Sequence, residues 1–142
     1  MKKFILILLS IIGLMRGLYF IYDYKTFILV NRYPEISETD IIYNNDYNQI
    51  EFDKDEFEDI IKDVKVKKVS SYDSVPLNSY EIRLDNYVFV MYYLESGYQH
   101  YGIGIVDKTK NPYIQHHYKD LSGKLYEYLE NCEVKDSGIN EK

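Results

Sequence analysis

Hydrophobic positions are spread unevenly along this chain, and the longest apolar stretch comes first. Residues 4–15 read Phe-Ile-Leu-Ile-Leu-Leu-Ser-Ile-Ile-Gly-Leu-Met, Arg16 and Gly17 interrupt, and Leu-Tyr-Phe-Ile-Tyr resumes over 18–22. As a helix, residues 4–22 are about 28 Å long, close to the thickness of a bilayer core. Lys2 and Lys3 precede the run, and Tyr19, Tyr22 and Tyr24 sit at its far end, where an interfacial aromatic belt belongs. Arg16 falls in the outer third of the span, so its guanidinium reaches the headgroups by snorkelling. The pattern predicts a signal-anchor helix over 1–22. A cleaved signal peptide with a secreted product is the alternative, but the small-x-small cleavage pattern is missing around residues 13–25.

Beyond the span the pattern changes to short elements. Residues 23–38 read as a connector, with 26–30 able to extend the helix or form a short strand before Tyr33-Pro34 breaks it. Strands are expected at 41–43 and 49–52 around an Asn/Asp-rich turn. Asp53 followed by Glu56 is a capping-box arrangement, and Phe57, Ile60, Ile61 and Val64 then mark one apolar helix face. Further strands are expected at 65–71, 80–84, 87–94, 100–106 and 113–118. The intervening turns are at 72–79, Asp85-Asn86, 95–98 and 107–112. Ser122 is placed to cap a last helix through Asn131, with Leu121, Leu125, Leu129 and Cys132 inward, and 133–142 reads as a flexible polar tail. The expectation is an α+β domain over 39–132: a small antiparallel sheet with two helices on one face and the other face free to meet a partner.

Composition modifies this picture in two ways. The 17 tyrosines, with no alanine or tryptophan, match an A/T-rich codon bias, so many tyrosines serve as ordinary core aromatics. Net charge is −6, and residues 23–142 carry 14 Lys and Arg against 23 Asp and Glu, a net −9. This balance argues against nucleic acid as a partner. With Lys2 and Lys3 retained inside, the acidic remainder is expected on the outer side of the cell membrane.

Candidate chemistry is sparse. The single cysteine, Cys132, excludes an internal disulfide, and no histidine stands near it in sequence to activate it. The carboxylates of 53–63 lack the glycine and closing glutamate of a calcium loop and read as a helix start favoured by the macrodipole. His116 and His117 alternate on a strand and point to opposite faces, and His100 adds no third and fourth ligand, so no metal and no cofactor is expected. Gly102-Ile-Gly104 lies inside a strand, where close packing is the expected use rather than a phosphate cradle. Tyr92, Tyr93, Tyr98, Tyr101, Tyr113 and Tyr118 cluster on the hairpins and are the candidate binding residues. Catalytic residues are not expected.

Residues 50–129 resemble the YhfM-like domain of small Gram-positive envelope proteins. The resemblance is carried by Ile-Glu-Phe-Asp-Lys-Asp-Glu-Phe at 50–57, Tyr-Glu-Ile-Arg-Leu at 80–84, Tyr-Tyr-Leu at 92–94, and 113–118 leading into Leu-Ser-Gly-Lys-Leu-Tyr-Glu-Tyr-Leu at 121–129. It implies a compact extracytoplasmic α+β domain without catalytic residues. The chain departs from the family in lacking a lipidation cysteine, and its apolar helix takes the anchoring role. These readings converge on a membrane-anchored, non-enzymatic interaction module of the cell envelope with an envelope or extracellular protein as partner. The alternatives are an immunity-type protein that neutralises a toxin at the membrane, an accessory subunit docked through Arg16, or a hydrolase using His100 or His116.

Overall fold

The computed structural model describes residues 2–70, 76, 78–95 and 100–135. An apolar helix, α1 (Lys2–Tyr24), leads after Lys25 and Thr26 into β1 (Phe27–Ile28), α2 (Leu29–Arg32) and a 3₁₀ helix (Pro34–Glu38). There follow β2 (Tyr43–Asn44), α3 (Lys54–Lys62), β3 (Lys65–Val69), β4 (Ser79–Arg83), β5 (Tyr87–Leu94), β6 (His100–Asp107), β7 (Ile114–Asp120) and α4 (Lys124–Glu130). The seven strands form one antiparallel sheet in the order β1-β3-β7-β6-β5-β4-β2. The α+β class expected from the sequence is therefore the one observed.

Strand register divides the sheet into two faces, because side chains alternate with a period of two. On the inner face lie Val66, Ile82, Phe89, Met91, Ile103, Ile105 and Tyr118, all buried. Against them pack Leu29 of α2, Ile36 of the 3₁₀ helix, Phe57 and Ile61 of α3, and Leu125 and Leu129 of α4, in one hydrophobic core. The helix α3 starts as its sequence requires: the Asp53 carboxylate accepts a hydrogen bond from the Glu56 amide at 2.9 Å.

The structure alters several expectations. Residues 27–38 are not a connector, since Leu29, Tyr33 and Ile36 are core residues and Phe27 pairs with Val66. The strand expected at 41–43 forms only at Tyr43–Asn44, and residues 49–51 find partners in the chain end: Ile50 bridges Val134, and the Glu51 amide donates to the Glu133 carbonyl. The start of the expected tail is thus held by backbone hydrogen bonds, while 136–142 lie outside the described residues.

At the last helix the cap is Gly123 with φ of 73°, so α4 begins too late for Leu121 to share its inner face, and Leu121 is exposed. The Asp120 carboxylate organises this corner, accepting from the Ser122 and Gly123 amides. The turns expected at 72–79 and 95–98 fall largely outside the described residues.

β3 and β4 lie on opposite sides of the β5-β6-β7 strands, so the chain between them must cross the sheet. Pro76, within that connection, lies over the outer face.

Candidate functional site

The outer face has three zones, read across the strands. β3 and β7 contribute Lys65, Lys67, Gln115, His117 and Lys119. The centre is apolar, with Val88, Val90, Tyr92 and Leu94 from β5 and His100, Gly102, Gly104 and Val106 from β6. At the far side Glu81 and Arg83 pair, and the Arg83 guanidinium stands 5.5 Å and 5.3 Å from the ring centres of Tyr43 and Tyr47. In the central zone a cavity of about 250 Å³ is lined by Pro76, Val90, Leu94, Val106, Gln115 and His117, with Tyr92 and Gly104 also at its wall.

Its floor is built by a glycine. Tyr92 and Gly102 are directly opposite across β5 and β6, and a Cβ on Gly102 would stand 2.3 Å from the Tyr92 ring. The ring therefore lies flat across β6, which is the close-packing use that a Gly inside a strand allows. Small-molecule sites usually enclose about 300–1,000 Å³. The cavity of about 250 Å³ lies just below that range, and its wall is mostly apolar.

The six tyrosines expected to form a binding surface are dispersed. Tyr118 is 1% exposed on the inner face, and its hydroxyl is 3.2 Å from that of Tyr33. Tyr93 and Tyr101 also face inward and join Tyr80 and Tyr126 in an aromatic cluster under α4, with ring centres 5.0–6.2 Å apart. The Tyr101 hydroxyl donates to Glu127 at 2.8 Å. Tyr92 is buried on the outer face, Tyr113 is exposed in the β6–β7 turn, and Tyr98 lies outside the described residues. Alternation explains the scatter: neighbouring tyrosines on a strand point to opposite sides. The cavity residues Val90, Leu94 and Val106 were missed as a site. Their signal was the unbroken apolar run at 87–94, which marks a strand covered on both faces.

A second, shallower groove of about 660 Å³ runs between α3 and α4, lined by Glu51, Asp53, Glu56, Glu127 and Glu133 around Lys124, Asn131 and Cys132. Burial pushes the Cys132 thiol above its ordinary range, which keeps it protonated and weakly nucleophilic. Among the described residues no group of three or more His, Cys, Asp or Glu is placed to hold a metal ion. His116 faces inward beside Tyr118, with ring centres 6.3 Å apart. His100 and His117 share the outer face but are four positions apart along β6, roughly 13 Å.

The geometry defines a class: an α+β sheet domain, helices on one face, behind an N-terminal apolar helix. Comparison with models of known families, with curated proteins and with solved structures finds no match.

Proposed function

We propose that this chain is a single-pass membrane protein whose α1 anchors a non-enzymatic interaction domain on the outer side of the cell membrane. The observation that carries the reading is α1 itself. Residues Lys3–Ile21 have a mean hydropathy of 2.3 and none of that stretch is buried against the rest of the chain. Its side chains from Phe4 to Ile21 include leucines, isoleucines and phenylalanines that are all largely exposed. Burying one such side chain contributes about 1.5–3 kcal/mol, so water contact along the whole helix costs on the order of tens of kcal/mol.

A bilayer removes that cost. Lys2, Lys3, Arg16, Tyr19 and Tyr22 then take the anchoring roles at the two interfaces, with Arg16 five residues before Ile21 and within snorkelling reach of the outer headgroups. The partner is an envelope or extracellular protein that seats side chains in the cavity between β5 and β7. The likeness of residues 50–129 to YhfM-like domains belongs to the same proposal.

Cell fractionation with protease added to intact cells tests the anchor. Full-length chain in membranes, losing its C-terminal domain to protease, is the expected result. A shortened soluble species in the medium means a cleaved signal, and complete protection means the opposite orientation; either overturns the reading. For the binding face, a photo-crosslinking residue at Gln115 should capture an envelope protein that the same residue at Glu130, on the helical side, does not. Equal capture at both positions removes the outer face as the site.

A further inference from the structure

Strand register sets two lysines against each other beside the outer-face cavity. Lys67 of β3 and Lys119 of β7 are directly opposite partners, and both lie on the outer face, because Val66, Tyr118 and Asp120 take the inner one. Side chains in that relation stand about 5 Å apart at Cβ, and like charges there destabilise the pairing. Lys65 is two positions further along the same face of β3, roughly 7 Å away. All three side chains are exposed.

Among the described residues no acid offsets them. The ion pairs there are Lys54–Asp40, Lys62–Asp59 and Arg83–Glu81, which use none of these lysines. Asp107 and Asp120 turn to the inner face, so the outer face of β3, β5, β6 and β7 carries no Asp or Glu. Residues 23–142 are acidic overall, which makes the clustering of cations on this face the more uneven. Positions that break a local pairing rule are concentrated at functional sites.

The lysine pair adjoins the cavity. His117, at the cavity wall, is two positions from Lys119 on the same face of β7, roughly 7 Å. Tyr92, Gly102, Lys119 and Lys67 form one row across four strands, apolar at one end and doubly positive at the other. A purely anionic polymer would leave the cavity empty, and a purely apolar ligand would leave the lysines without counter-charge. A peptide segment with mixed side chains satisfies both.

We propose that the outer face binds an acidic segment of its protein partner, with an apolar side chain in the cavity and flanking Asp or Glu carboxylates on Lys67 and Lys119. Lys65 extends the same contact along β3. The inference deepens the interaction-module reading and rests on it.

The test places a photo-crosslinking residue at Gln115 in the full chain, in its own cells, and identifies the captured segment by mass spectrometry. That segment should be acidic and contain an apolar residue. Lys67→Glu with Lys119→Glu should lower the yield roughly tenfold or more, because like charges then meet across the interface. Lys67→Arg with Lys119→Arg should keep it. Lys67→Glu alone sets opposite charges across β3 and β7, so it should raise the thermal midpoint of the detergent-solubilised full chain while lowering capture.

No protein captured at Gln115 overturns the interaction reading and this inference with it. A protein captured equally well by the doubly reversed chain, or through a segment without Asp or Glu, overturns the inference alone. Capture of lipid, of an anionic glycan or of a second copy of this chain identifies a different occupant and overturns it too. Loss of capture together with a lower thermal midpoint in Lys67→Glu also overturns it, because the lysines then serve the fold.

Discussion

Gly102 and Gly104 stand two positions apart on the same face of β6, yet their surroundings set different tolerances. A Cβ at Gly102 would meet the Tyr92 ring at 2.3 Å, whereas at Gly104 the nearest ring atom is at 3.8 Å. Gly102→Ala should therefore lower stability by about 1–3 kcal/mol through overpacking. Gly104→Ala should be neutral or gain up to about 1 kcal/mol by restricting the unfolded chain. Denaturant midpoints of the two variants decide this, and equal effects would mean that the Tyr92 ring is not packed on Gly102.

The tyrosines also predict a pH response. Burial pushes Tyr126 and Tyr128 up to about 12, and burial with the Tyr118 hydroxyl drives Tyr33 far above its ordinary value of 10.0. The folded state thus holds these protons more tightly than the unfolded chain. Their contribution is complete below pH 10 and is lost as pH rises toward and beyond 12. Phenolate absorbance should show the exposed tyrosines titrating first and a later step coincident with loss of the near-ultraviolet circular dichroism. A single smooth titration near pH 10 with no unfolding would contradict the assignment.

The two helices α3 and α4 are linked at their ends as well as through the core. Asp53 caps α3, and the Tyr128 hydroxyl both accepts from the Asp53 amide and donates to the Asp53 carbonyl, each at 3.0 Å. Asp53→Ala should cost about 0.5–2 kcal/mol, while Asp53→Asn keeps most of the cap. Because Tyr128 bonds the backbone and not the Asp53 carboxylate, Tyr128→Phe should be nearly additive with Asp53→Ala. A double-mutant cycle in denaturant measures this, and a coupling well above about 0.5 kcal/mol would show that the two act as one unit.

For the whole molecule, the place where the apolar helix ends and the sheet domain begins is set by β1 and not by the proline. Leu29 and Ile36 are fully buried, and removing them leaves a cavity in the core. A fragment beginning at Lys25 should fold as a soluble domain, and one beginning at Thr39 should not, since losing even one buried leucine or isoleucine costs about 2–5 kcal/mol. Circular dichroism and thermal melting of the two fragments check this. If both melt cooperatively at the same temperature, residues 25–38 contribute nothing to the core.

Much of this molecule was readable locally. The apolar run at 4–22, the Asp53–Glu56 cap with its Phe57/Ile61 stripe, and the alternation at 80–84 each act through neighbours within a few residues, so sequence alone located α1, α3 and β4. The continuous apolar run at 87–94 likewise located β5.

What sequence alone did not decide depends on contacts between distant segments. That β3 joins the sheet beside β7, that residues 133–135 pair with 49–51 through backbone hydrogen bonds, and that Leu29 and Ile36 complete the core are long-range choices, the first and last favoured by the apolar surface they bury. The direction in which Tyr92, Tyr93, Tyr101 and Tyr118 face depends likewise on register, because moving a strand by one residue exchanges its two faces. The tertiary structure therefore turned Tyr118 into core, Tyr93 and Tyr101 into an inward cluster, Tyr92 into cavity wall and Tyr113 into an exposed turn residue.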